Sequence, residues 1–196
     1  MFNQQNFDNL IDWINKNNLL LKNIYSTSSN DLIDSKDILL KAILDKNNVN
    51  IDINSDFGVC LYKTVGKKVK SLDFSFSSFF KLKSLEDKAY YLIARGDSLA
   101  SNDRTALMDG LFMYAVQEQN IPITSLLYIY IEENDDFKDD YLEFLSFEQN
   151  LDGSIGIVNP LKDSFISSEQ AKQWVSYNSL FVYATLPLAN DKFKRR

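Results

Sequence analysis

Apolar residues recur at every third or fourth position along the first quarter of the chain. Residues 7–25 carry one such stripe, and residues 31–46 carry a second. This spacing places the apolar side chains on one face of an α-helix. The polar run at 26–30 consists of Ser, Thr and Asn, which favour turns. We therefore predict an antiparallel helical hairpin over residues 1–47.

The same helical spacing returns in the C-terminal part of the chain. Ser84 is a predicted N-cap because two acidic residues follow it, and Pro122 suits the first turn of another helix. Ser167 and Gln170 match a capping box, so the last helix begins there, and we expect it to end before Pro187. The predicted helices are 85–96, 103–120, 122–131, 137–149 and 168–186.

Consecutive helices joined by short connections normally pack antiparallel. The sequence therefore predicts one all-α domain over residues 1–196, with an array or partial ring of helical hairpins over 84–190. Residues 48–83 interrupt the helical pattern, because apolar and polar residues alternate at 49–54 and again at 72–76. Such alternation is typical of strands. A small β-hairpin and an irregular segment both fit residues 48–80.

One glycine-rich loop stands out between the last two predicted helices. Residues 149–156 read Gln-Asn-Leu-Asp-Gly-Ser-Ile-Gly. Gly153 and Gly156 can adopt positive φ, and Asp152 can accept hydrogen bonds from the backbone of a turn. The predicted structural residues of the loop are Gln149, Asp152, Gly153 and Gly156.

This loop resembles the Gln-x-x-Asp-Gly-Ser-(Trp/Phe)-Gly repeat of α/α-toroid proteins, which include terpenoid cyclases and prenyltransferase β-subunits. Ile155 replaces the usual aromatic residue, and the chain has no second full copy. The resemblance implies that the loop closes a turn between an outer and an inner helix, and that the hairpins form part of a toroid. It implies no cyclase activity, because the motif is structural in those families.

The composition narrows the classes of function. The chain has 21 basic and 27 acidic residues, and its formal charge of −6 gives no general support for nucleic-acid binding. It has no histidine and one cysteine, which excludes Ser-His-Asp triads, histidine metal sites and internal disulfides. No secretory signal or membrane-spanning stretch is evident, so we expect a cytoplasmic protein without a cofactor, and the Asn- and Lys-rich composition suggests a bacterial source.

One acidic stretch offers an enzymatic alternative. Asp135, Asp136 and Asp139 form an Asp-Asp-x-x-Asp sequence that resembles the aspartate-rich motif of class I isoprenoid synthases. In those enzymes the carboxylates hold magnesium ions against a diphosphate. The second magnesium motif of the family is missing, and acidic residues also favour the N-terminus of a helix. The motif is therefore also explained as the first turn of the helix at 137–149.

The main hypothesis is a non-catalytic helical protein that binds a peptide or protein partner through a concave aromatic face. An accessory or immunity-type role in a bacterial peptide system would use such a face. The two alternatives are the magnesium-dependent diphosphate enzyme and a carrier of a small hydrophobic molecule. The predicted ligand-binding residues, chosen for aromatic character or for an amide in an apolar stripe, are Tyr114, Tyr130, Trp174, Tyr177 and Asn178.

Overall fold

The computed structural model describes residues 1–19, 35–45, 52–131, 137–158 and 167–193. In these ranges the chain is all-α, as predicted, and its only β-structure is an isolated antiparallel bridge between Gln149 and Ile155. The helices of the described ranges are α1 (Gln4–Lys16), α2 (Ser35–Leu44), α3 (Asp56–Thr64), α4 (Phe76–Phe79), α5 (Leu85–Arg95), α6 (Ser101–Gln117), α7 (Ile121–Tyr128), α8 (Phe137–Glu148) and α9 (Ser168–Ala189).

The chain divides into two compact units. Unit 1 comprises Met1–Leu32 and Asp136–Arg196, and unit 2 comprises Ile33–Asp135. Unit 1 therefore contains α1, α8 and α9, whereas unit 2 contains α2 to α7. The helices of the predicted N-terminal hairpin belong to different units, and the predicted turn at 26–30 lies outside the described residues.

In unit 1, α1 packs against α9 and the short 3-10 turn that follows it. The predicted apolar stripe of α1 is buried at Phe7, Leu10 and Ile14. The Phe7 ring lies 5.3 Å from that of Phe193 in the 3-10 turn, with the planes nearly perpendicular. Such edge-to-face contacts are favourable between buried aromatic rings. The N-terminal and C-terminal helices of the unit thus share one aromatic core.

Helix α9 begins as predicted but ends later. The capping box joins Ser167 and Gln170 through two hydrogen bonds of 3.2 Å. The prediction that the helix ends before Pro187 is wrong, because α9 continues to Ala189. A proline lacks one N–H donor, but here it lies in the last turn, where one missing bond is tolerated more easily. Leu186 is fully buried, and its carbonyl accepts a hydrogen bond from Asn190 N–H at 3.2 Å, so the last turn is held at both sides of the proline.

In unit 2, α5 packs against α3, α6 and α7, so it lies at the centre of the unit. All residues of α7 are buried. An apolar helix without a polar face is typical of such an interior position. The predicted N-cap of α5 is confirmed, because Ser84 Oγ accepts a hydrogen bond from Asp87 N–H at 3.0 Å.

Residues 52–80 contain two helices, α3 and the single turn α4, that neither sequence interpretation included. Ser55 caps α3 by accepting a hydrogen bond from Gly58 N–H at 3.0 Å. Gly58 lies in the first turn of α3 at a position that leaves no room for a side chain, because a Cβ there would overlap the Asp52 carbonyl oxygen. No β-hairpin forms within 52–80, and 67–75 is irregular, while residues 46–51 lie outside the described ranges. The alternation at 72–76 instead lets Phe74 and Phe76 pack on each other, 5.1 Å apart.

None of the helices in the described ranges has both the length and the apolar character that a membrane crossing requires.

Candidate functional site

The loop at 149–156 follows α8 in the chain and is hydrogen-bonded to α1 of unit 1. Gln149 Nε2 donates hydrogen bonds to the carbonyl oxygens of Asn6, at 2.8 Å, and Gly153, at 3.1 Å. Gln149 Oε1 accepts a hydrogen bond from Asn6 Nδ2 at 2.7 Å. A single side chain therefore closes the loop and also holds it against the first turns of α1.

Asp152 fixes the middle of the loop. Its Oδ1 accepts hydrogen bonds from the Ser154 N–H at 3.0 Å and the Ser154 hydroxyl at 2.7 Å. Its Oδ2 accepts one from Trp13 Nε1 at 3.0 Å, which is a second connection to α1. Partial burial alone would raise the pKa of Asp152, but the hydrogen bonds from Ser154 and Trp13 stabilise the carboxylate and lower the pKa below its ordinary value.

The two loop glycines are required for different contacts. Gly153 has φ +93°, and a Cβ there would lie 2.5 Å from the Asn9 carbonyl oxygen of α1. Gly156 has φ +107°, and a Cβ there would lie 2.8 Å from the Trp174 ring and 3.0 Å from Asn178 Nδ2 of α9. The backbone of the loop therefore packs directly against both α1 and α9.

Three further hydrogen bonds of the loop, made by Asn150 and Ile155, were not predicted from the sequence. Asn150 Nδ2 donates hydrogen bonds to Ser154 Oγ at 3.0 Å and to the Gly156 carbonyl at 3.1 Å. Ile155 N–H donates to Ser179 Oγ of α9 at 2.8 Å. The polar groups of the loop are thus directed inward, which is how a structural turn satisfies its backbone.

Three of the predicted ligand-binding residues, Trp174, Tyr177 and Asn178, lie on α9. Trp174 and Asn178 contact Gly156, and the Tyr177 ring lies 5.9 Å from that of Phe181. Asn178 is 1% exposed, and its Nδ2 has no hydrogen-bond partner in the described part of the chain. These contacts place Trp174 and Asn178 in the packing around the loop.

The acidic motif is only partly described. Asp135 and Asp136 lie outside the described residues, and Asp139 is exposed in the first turn of α8. Among the residues with described positions, no group of three acidic or cysteine side chains is arranged to hold a metal ion. The magnesium site therefore stays a prediction.

The other two predicted ligand-binding residues, Tyr114 and Tyr130, lie in unit 2, in different surroundings. The Tyr130 hydroxyl forms a 2.8 Å hydrogen bond with Thr64 Oγ1, and burial raises the pKa of Tyr130. The neighbouring Cys60 is fully buried, and burial raises the pKa of its thiol to about 12. Tyr130 therefore bonds within the interior of unit 2, whereas Tyr114 is 50% exposed.

Tyr114 lines an open groove in unit 2. The groove has a volume of about 370 Å³, and α4, α5 and α6 contribute to it. Its lining residues are Phe79, Phe80, Lys88, Ala106, Leu107, Gly110, Leu111 and Tyr114. Phe80 is 67% exposed, so two large aromatic side chains stand partly in solvent at a mainly apolar groove.

Phe79 and Phe80 form the aromatic wall of the groove, and further aromatic side chains pack against this wall. Phe79 is buried, and the Phe74 ring lies 5.6 Å from it and 5.3 Å from the Tyr91 ring. The Tyr91 hydroxyl accepts a hydrogen bond from Ser75 N–H at 3.1 Å. The segment that carries Phe80 is therefore fixed to α5 before any ligand binds.

Gly110 lies in the lining of the groove, in the interior of α6. A Cβ at Gly110 would contact nothing within 4 Å. A glycine inside a helix costs about 1 kcal/mol relative to alanine. Within the described chain, no neighbouring atom lies close enough to require a glycine at this position. The absence of a side chain does leave the groove open.

Of the residues that line the groove, the sequence predictions named Tyr114 and none of the others. The available signals were the run of phenylalanines at 74–80 and a glycine inside a strongly helical pattern. Comparison with protein-family models, with curated proteins and with solved structures gives no match to this chain.

Proposed function

We propose that this protein binds a segment of a peptide or protein partner in the groove between α4, α5 and α6. The observation that supports the proposal most directly is the position of Phe80 and Tyr114, which stay exposed at the edge of an apolar groove of about 370 Å³. Exposed aromatic side chains beside an apolar depression are typical of protein-binding surfaces.

The aromatic wall formed by Phe79 and Phe80 and the open surface of α6 at Gly110 both favour binding of a peptide segment. Phe79 is buried against Tyr91, so the wall does not have to be ordered when a ligand binds. Gly110 leaves space where most helix residues would place a side chain. Together they form a preformed, open depression suited to side chains of a partner.

The wider role follows the sequence-based hypothesis. We propose a non-catalytic accessory or immunity-type protein of a bacterial peptide system, acting in the cytoplasm. We also propose that the 149–156 loop has the same structural function as the corresponding turn of α/α-toroid proteins. The loop contacts with α1 and α9 support a structural role.

The test is a selection of binders from a random 16-residue peptide library on the full chain, followed by affinity measurements on variants. Gly110→Phe fills the groove, and no close contact opposes the new side chain. We expect the selected peptides to bind this variant at least about tenfold more weakly than the wild type, because hot-spot contacts are worth 2 kcal/mol or more.

The matched control is Gln173→Phe, which adds the same ring at an exposed position of α9 in unit 1. Its affinity for the selected peptides should equal that of the wild type. Tyr114→Ser is a second groove variant that removes a half-exposed ring with little effect on packing. Peptides that bind wild type, Gly110→Phe and Tyr114→Ser equally well would refute the proposed binding site.

The volume of the groove also lies within the range of small-molecule sites, roughly 300–1,000 Å³. Native mass spectrometry distinguishes the carrier alternative, because a carrier would retain a small hydrophobic molecule that Gly110→Phe releases. The openness of the groove favours the peptide, since sites for small apolar ligands bury most of the ligand surface.

A further inference from the structure

The groove contains one charged side chain, Lys88 of α5, among apolar and aromatic residues. Lys88 is half-buried, and within the described residues its ammonium group has no hydrogen-bond or ion-pair partner. Lys63 of the same unit, by contrast, forms an ion pair with Asp97 at 2.7 Å. The residues that line the groove therefore include one cation and no anion.

Two more lysines follow the aromatic wall in the sequence. Lys81 and Lys83 lie directly after Phe80, are exposed, and have no ion-pair partner in the part of the chain that the structure describes. Neither lysine lines the groove, and the acidic residues Asp87 and Asp103 are exposed on the same helices that line it. Lys88 is therefore the charge inside the groove, and an unpaired cation in an apolar groove favours a ligand that brings a carboxylate to it.

The floor of the groove indicates the shape of the ligand. Ala106 and Gly110 are one helical turn apart on α6, and both line the groove. Residues four apart lie on the same helix face, and small side chains there let another helix approach closely. A partner strand, in contrast, needs the edge of a sheet, and the described residues contain no strand.

From these observations we infer that the groove binds an amphipathic helical segment of a partner protein that carries an acidic side chain paired with Lys88. The apolar face of the segment packs on Ala106, Gly110 and Tyr114, and a carboxylate beside that face accepts hydrogen bonds from Lys88 Nζ. The inference rests on the proposed function and specifies the chemistry of the partner.

The test uses three synthetic 16-residue helical peptides with the same leucine stripe. The residues that flank the stripe are glutamate in the first peptide, glutamine in the second and lysine in the third. Fluorescence anisotropy with the full chain should give an affinity about fivefold higher for the glutamate peptide than for the glutamine peptide, as expected for a partly exposed charge pair. The lysine peptide should bind most weakly.

A charge reversal and a charge neutralisation at Lys88 assign the preference to the groove. Lys88→Glu should reverse the order of the three peptides, and Lys88→Gln should abolish the difference between glutamate and glutamine peptides. Lys172→Glu makes the same charge change at an exposed position of α9 in unit 1 and should leave the order unchanged. High salt should reduce the preference in the wild type.

The outcomes separate this inference from the proposed function. If all three peptides bind equally and Gly110→Phe weakens them all, the groove binds peptides but the acidic specificity is refuted. If an acidic preference persists in Lys88→Glu, the pairing with Lys88 is wrong. Failure of Gly110→Phe to weaken any peptide overturns the proposed function as well. Self-association of the wild type that Gly110→Phe abolishes in sedimentation experiments would assign the groove to a second copy of the chain.

Discussion

Replacing Gly153 by alanine tests the structural role of the 149–156 loop most sharply. The position has φ +93°, and the new Cβ would lie 2.5 Å from the carbonyl oxygen of Asn9 in α1. A non-glycine residue with positive φ costs roughly 1–2 kcal/mol. Relief of the overlap would move the loop away from α1 and weaken the two hydrogen bonds between Gln149 and Asn6, which are worth about 1 kcal/mol each. We therefore expect a loss of about 3 kcal/mol in the free energy of unfolding of unit 1.

Gly66→Ala is the matched control. Gly66 has φ +76°, but a Cβ there would have no neighbour within 4 Å, so only the backbone strain applies and we expect a loss of about 1 kcal/mol. Gly110→Ala supplies the opposite sign: its helical position and open surroundings predict a gain of about 1 kcal/mol. The three substitutions add the same methyl group: the backbone conformation separates Gly110 from Gly66, and the close contact with Asn9 separates Gly153 from Gly66.

The assay follows from the positions of the tryptophans. The chain has two, Trp13 and Trp174, and both belong to unit 1. Trp13 donates a hydrogen bond to Asp152, and Trp174 contacts Gly156, so urea unfolding followed by tryptophan fluorescence reports the surroundings of the loop. Cys60 labelling in urea reports unit 2, where Gly66 and Gly110 lie. A fluorescence transition of Gly153→Ala within about 1 kcal/mol of the wild type would refute the argument from the close approach of α1.

Three further predictions concern single side chains. Because the pKa of Asp152 is lower in the folded protein, its carboxylate contributes stability above the unfolded pKa of about 3.9, and this contribution is lost as pH falls through the lower folded pKa. Asp152→Asn should therefore be less stable than the wild type at pH 6 and approach the wild-type stability in acid. Unfolding followed by fluorescence measures both stabilities, and an equal difference between the two proteins at pH 6 and pH 2 would contradict this. Cys60, with its pKa raised to about 12 by burial, should react with an aromatic disulfide reagent at pH 8 only after denaturation, so rapid labelling of the native protein would be inconsistent with the structure. Arg95 Nε lies 2.6 Å from Asp56 Oδ1, and Arg95 Nη1 donates a hydrogen bond to the Asp73 carbonyl at 2.9 Å. In the Cys60-labelling assay, Arg95→Ala should lower the stability of unit 2 by about 2 kcal/mol, and Arg95→Lys should restore less than half of this loss. Full restoration by lysine would argue against a requirement for the planar guanidinium group.

The all-α class and most helix starts were determined by local sequence. A period of three to four apolar residues creates one face that must be buried, and Ser84 and Ser167 supply the N-caps where the helices begin. These signals act between residues close in the chain, so they can be read without the tertiary structure. The same is true of the turn chemistry at Asp152 and Gly153, whose residue types already indicated a tight loop.

Tertiary contacts decided the rest. Helix α3 lies where the alternating pattern suggested a strand or an irregular segment, and its Gly58 is required by the nearby Asp52 carbonyl, a contact that the sequence does not show. Burial of Leu186 accompanies the continuation of α9 through Pro187. The groove combines side chains from three segments of the chain, so the phenylalanine run at 74–80 could not by itself show that Lys88 and Tyr114 lie beside Phe80. Local patterns specify which face of each helix is apolar, but only the packing of separate helices determines which apolar and charged groups remain uncovered and available to bind a partner.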